Sequence, residues 1–138
     1  MNDRRRIANA LLPMRLAVFL VILMWTIDKF VNPEHAAGVY ENFYGLGGLG
    51  PAAFYLIGGL ELVLLAAFVA GWRKTISYGL VLVIHAISTL STWQQYLNPF
   101  EGPNLLFFAA IPMLAACWAL FSLREYDTRW TIDGKESP

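Results

Sequence analysis

The chain has 138 residues, no net formal charge and a single cysteine, and 57% of it is hydrophobic against only 14% charged. That balance excludes an ordinary water-soluble domain, and a neutral chain of this kind suggests no nucleic-acid partner. One cysteine excludes an internal disulfide, a dithiol motif and a cysteine-built metal site, so Cys117 reads as a small buried hydrophobe.

Arg4, Arg5, Arg6 and Arg15 precede or open the first apolar run, at 16–27, and three more runs follow at 51–71, 76–90 and 105–123. Roughly 20 apolar residues span a bilayer, and flanking side chains that reach the interface complete shorter runs. We therefore expect four membrane helices, near 13–32, 51–71, 75–96 and 103–123, in a single domain over 1–138. In lipid the backbone must satisfy its own hydrogen bonds, which makes these segments helices rather than open strands. Short connections after the second and third imply antiparallel neighbours, hence an all-α, up-down-up-down bundle.

The first segment also resembles a signal peptide, with a cleavage site at Ala36–Ala37. Asp28 and Lys29 interrupt its apolar run and His35 is poor at the small-residue position, which weighs for retention.

Between the first two membrane helices the sequence predicts a short helix near 34–43. "GLGGLG" at 45–50 matches a dinucleotide fingerprint by letter, but it lacks the preceding strand and leads into a membrane helix, so we read a flexible turn. Pro112 should kink the fourth helix and free a carbonyl near Phe108. The hydrophilic tail at 124–138 reads as loosely ordered.

Arg73 and Lys74 join the second and third helices, and Arg124, Arg129 and Lys135 follow the fourth. The other two connections carry Glu34, Glu41 and Glu101 and no Lys or Arg. The positive-inside rule then places both termini in the cytoplasm and the acidic loops outside, in a bacterial-type inner membrane. Tyr40, Tyr44, Tyr55, Trp93 and Tyr96 would mark the outer interface, and Trp72, Tyr78, Tyr126 and Trp130 the inner one.

Four ionisable residues interrupt the apolar runs: Asp28, Lys29, Glu61 and His85. Such groups cost on the order of 3 kcal/mol each at a helix centre, so they face a bundle interior and mark function. Glu61 is ten residues in from Pro51, and His85 ten residues in from Thr75. A rise of about 1.5 Å per residue puts both near mid-bilayer. His85, Ser88, Thr92 and Gln95 follow one helical face, and Asn104 opens the fourth helix at the same end. Polar groups thus gather in the outer half, above an almost purely apolar inner half, which suggests a pocket opening outward. Asp28 and Lys29 are adjacent and point about 100° apart, and Lys29 either faces the bundle or snorkels to the interface.

For Glu61 two roles stand side by side: a neutral carboxyl holding helices together, and a proton-accepting or head-group-binding carboxylate partnered by His85. Haem is disfavoured because His35, the other histidine, is expected in the outer loop, and a four-ligand zinc site lacks partners.

The stretches "RLAVFLVILMWTIDKF" and "GGLELVLLAAFVAGWRKT" resemble the DoxX-like membrane proteins (the DoxX/DoxD and MauE-type group). Glu61, Gly71 and Arg73 match that family's order of an intramembrane Glu, a helix-ending Gly and a basic turn, whereas the close, "LREYDTRW", departs from its glycine-rich ending. The resemblance implies a four-helix membrane subunit associated with membrane oxidoreductase systems, including quinone-linked ones. No electron-carrying cofactor is legible, so electrons would come from a protein partner. The leading expectation is a redox-system subunit, at most an oxidoreductase subunit without its own redox centre. Glu61 and His85 would act on a quinone-like or other small ligand, with Asp28, Lys29, Ser88, Thr92, Gln95 and Asn104 lining the site. A non-catalytic scaffold or assembly factor, or a small homo-oligomeric proton-coupled transporter, are the alternatives.

Overall fold

The computed structural model describes residues 2–134. Lys135 and the last residues of the predicted tail lie outside the described residues. The described chain is helical throughout, with four helices long and apolar enough to cross a membrane.

Helix α1 spans Asp3–Val31, beginning ten residues before the expected start at Pro13. Asn2 explains the early start, because its side-chain oxygen accepts from the Arg5 amide at 2.9 Å and caps the first turn. Asp3 adds favourable charge there, and the helix runs through Pro13. Asn32 closes α1, its amide donating to the Asp28 carbonyl, and Pro33 at once opens α2 (Pro33–Tyr44). Gly45 ends α2 in the left-handed conformation at φ +68°. Helix α3 (Pro51–Val69) and helix α4 (Lys74–Ser91) are joined by a tight turn, with Gly71 at φ +62° and Arg73 at φ +50°.

The third expected membrane helix does not reach Tyr96 unbroken. At Thr92 the backbone leaves helical values (φ −100°, ψ 26°), and a short α5 (Trp93–Leu97) follows. The fourth expected helix starts as a 3-10 segment, Asn104–Ala109, before α6 (Ala110–Ser122). Pro112, in the first turn of α6, has no N–H for the Phe108 carbonyl, and the chain answers with this change of helix type.

Helix α1 packs against α3 and α6, and α4 packs against the same two, so the four long helices close a ring with α2 laid against α1 and α3. The core joins Leu11 and Val18 of α1 to Phe68 of α3, Tyr78 and Val81 of α4, and Cys117 and Leu120 of α6. Large apolar side chains also cover the outside: Leu20, Leu56, Val63, Leu90, Leu106 and Trp118 are each more than half exposed. A water-soluble protein rarely exposes apolar surface on this scale, whereas a lipid-facing surface requires it. This is the fold of a multi-pass membrane protein.

The tail corrects two expectations. Its described part is not loosely ordered, and the end of the bundle beneath it is not apolar. Asp127 is fully buried, with Oδ1 2.5 Å from the Arg15 guanidinium and Oδ2 accepting from the Tyr78 hydroxyl at 2.6 Å. Arg15, counted in sequence as a flanking cation, is also fully buried and donates further to the Arg129 and Trp130 carbonyls at 2.7 and 3.1 Å. Lys74 Nζ donates to the carbonyls of Arg124, Asp127 and Gly134 at 2.8–2.9 Å. The amides of Ile132 and Asp133 donate to Ala70 and Gly71 at 2.8 and 3.2 Å. Buried charge persists only when paired and hydrogen-bonded, and here the tail supplies the anion and most of the acceptors. Gly71 is fixed twice over: its φ disfavours a side chain, and a Cβ there would collide with Thr131.

Candidate functional site

Three residues apart on α1, Thr26 and Lys29 share one helical face. That face meets the middle of α3, where Glu61 Oε2 accepts from Thr26 Oγ1 at 2.7 Å and from Lys29 Nζ at 3.2 Å. The geometry is that of an ion pair, with the two side chains only 10% and 15% exposed. Lys29 therefore does not snorkel: an anion within the bundle holds its ammonium, which also lies 5.8 Å from the centre of the Tyr40 ring. Glu61 is tied to α1 rather than to His85.

Asp28, turned away from Lys29 as adjacent helical positions must be, pairs with His35 of α2 instead. His35 Nδ1 lies 2.6 Å from Asp28 Oδ2, and its ring stacks near Trp25 with centroids 6.2 Å apart. The immediate passage from α1 into α2 folds His35 back onto α1 and onto the same cavity as His85, so it does not stand off in a loop as expected.

His85 is anchored from its own helix and from α6. Its Nε2 lies 3.0 Å from the Ala110 carbonyl and 3.2 Å from Thr89 Oγ1, while Thr89 donates to the His85 carbonyl at 2.7 Å. A carbonyl only accepts, so Nε2 carries the proton and Nδ1 is left as the acceptor of the neutral ring.

These groups line one cavity of about 880 Å³, enclosed by α1, α2, α3, α4 and the 103–116 stretch. Asp28, Lys29, His35, Glu61, His85, Ser88 and Thr92 supply its polar wall, and Val21, Ile22, Phe107 and Met113 are among its apolar lining. Gln95 and Asn104 lie outside it. The predicted stripe assumed an unbroken helix, and the break at Thr92 carries Gln95 off that face. Asn104 instead donates to the Asn98 carbonyl at 2.9 Å. A second cavity of about 730 Å³ lies between α2, α3 and α4, and Tyr40, Phe43, Tyr44, Glu61 and Ile84 border both. Both volumes suit a small organic molecule, for which pockets run about 300–1,000 Å³.

Helix α2 roofs the site. Tyr40 and Tyr44, expected at the membrane interface, pack edge-to-face at 4.9 Å and line both cavities. Burial, and then the nearby Glu61 carboxylate, push the Tyr40 hydroxyl up to about 12, so it stays protonated at neutral pH. Sequence reasoning missed Thr26, His35, Tyr40 and Tyr44 as site residues. The three-residue step from Thr26 to Lys29 was the available signal for the first, and the apolar spacing of Ala36, Tyr40 and Phe43 for the roof.

The chain matches no protein-family model, no curated protein and no solved structure.

Proposed function

We propose that this protein is a DoxX-like subunit or accessory protein of a membrane redox system, which holds a small amphipathic, quinone-like ligand in its intramembrane cavity. In this reading the helices run up-down-up-down through a bacterial-type inner membrane, with both termini cytoplasmic and the acidic loops outside. One observation carries it: a cavity of about 880 Å³ combines apolar walls with the Lys29–Glu61 ion pair and His85. An apolar pocket with a few convergent polar groups is the usual form of a small-molecule site. The apolar wall would hold the body of the ligand and the polar wall its head. Glu61 would exchange the proton that accompanies electron transfer, and a protein partner would supply or take the electrons.

The Glu61 network also favours a second reading. Glu61 joins α3 to α1 through Thr26 and Lys29, as in a scaffold whose polar groups only hold helices together. Extraction of lipid-soluble material from the purified protein separates the two. Wild type is expected to yield a stoichiometric quinone-like compound, and the Glu61→Gln and His85→Ala variants, still folded, to yield at least about tenfold less. Equal recovery from all three, or none from wild type alongside a co-purifying protein, would favour the scaffold.

A further inference from the structure

We propose that the cavity of about 880 Å³ selects a ligand whose polar head donates hydrogen bonds, a hydroxyl-bearing head of the hydroquinone class, over the carbonyl-bearing form of the same molecule. The inference rests on the reading of this cavity as an amphipathic-ligand site and fixes the chemistry of the head.

The tautomer of His85 carries it. With Nε2–H committed to the Ala110 carbonyl and Thr89 Oγ1, the ring offers Nδ1, which only accepts. Glu61 offers a second acceptor: Oε2 is taken by Thr26 and Lys29, and Oε1 is not. Among the described residues, the fully buried side-chain polar atoms without a partner are Arg15 Nε, Tyr96 Oη and Thr131 Oγ1. Neither His85 Nδ1 nor Glu61 Oε1 is among them, so each retains open surface, and both residues line the cavity.

Donors on the same wall do not reverse the preference. Ser88, one turn from His85, carries a hydroxyl that gives or accepts. Lys29 is held by Glu61 and lies over the Tyr40 ring. A carbonyl head can accept from Ser88, from the Tyr40 hydroxyl or from an N–H of Lys29 not given to Glu61, but it sets one acceptor against another at His85 and leaves Nδ1 unmet. A hydroxyl head donates to His85 Nδ1 or Glu61 Oε1 while its oxygen accepts from Ser88 or Lys29. It satisfies both kinds of group at once.

The test is calorimetric titration of the full chain in lipid nanodiscs, under anaerobic conditions. The three probes are a short-chain alkyl hydroquinone, the matching quinone and the hydroquinone dimethyl ether, which keeps the shape but has no donor. Wild type is expected to bind the hydroquinone about tenfold or more tightly than either of the others, the cost of leaving one buried acceptor unmet. The His85→Leu variant is expected to lose most of that preference. Quinone or dimethyl ether binding as tightly as the hydroquinone to wild type would overturn the inference and leave the ligand-site reading standing. Binding of none of the three would remove the ligand-site reading, and the inference with it. Full preference retained in a folded His85→Leu variant would overturn the assignment to His85, and if that variant does not fold, the three-probe series on wild type decides alone.

Discussion

Replacing Asp127 with alanine is expected to destabilise the protein by about 3–5 kcal/mol, the loss that follows when one member of a buried ion pair is removed. Asp127 is the anion at the centre of a fully buried group in which Arg15 and Lys74 are the cations and Tyr78 a further donor. Without it, the Arg15 guanidinium keeps only the Arg129 and Trp130 carbonyls, and the Tyr78 hydroxyl loses its acceptor. Because the same residue holds the tail against α1 and α4, the loss should also free the chain after Ser122 to proteases. Thermal unfolding in detergent and limited proteolysis read the two effects. The paired substitution Arg15→Met with Asp127→Leu is expected to recover much of the loss, since well-packed apolar residues of similar volume replace a buried pair at little cost. An Asp127→Ala variant as stable and as protease-resistant as wild type would show that the tail does not lock the bundle.

The second large effect is expected at the other ionic group. Lys29→Met leaves the Glu61 carboxylate among apolar helices with Thr26 as its remaining partner, and should cost about 3 kcal/mol, the scale of an unpaired charge within a membrane helix. Glu61→Gln strands the Lys29 ammonium instead and should cost a similar amount, softened by the Tyr40 ring beneath it. The double variant is expected to be more stable than either single one, because no charge is left without its partner. Additive losses in that cycle would mean that Lys29 and Glu61 do not act as a pair.

The apolar runs made the number and approximate limits of the membrane helices legible in sequence, and the ionisable residues within them pointed to Asp28, Lys29, Glu61 and His85. What stayed hidden depended on pairing across the fold. Arg15 sits among other arginines, and nothing local shows that Asp127, more than a hundred positions later, folds back to meet it. Lys29 has the stem of a snorkelling residue, and only the approach of α3 turns it inward to Glu61. The break at Thr92 left no proline or glycine as a marker, so the polar stripe was carried one turn too far, to Gln95. Pro112 did mark a disturbance in the fourth helix, which takes the form of a 3-10 opening.

Photolabelling tests the ligand site most directly. An aryl-azide quinone analogue, irradiated with the protein in nanodiscs and mapped by peptide mass spectrometry, is expected to label wall residues such as Val21, Phe107 and Met113. An excess of unlabelled hydroquinone should compete that labelling away, and Glu61→Gln should reduce it. Labelling confined to outward-facing side chains such as Leu56, Val63 and Leu90, and indifferent to competitor, would contradict an intramembrane ligand site.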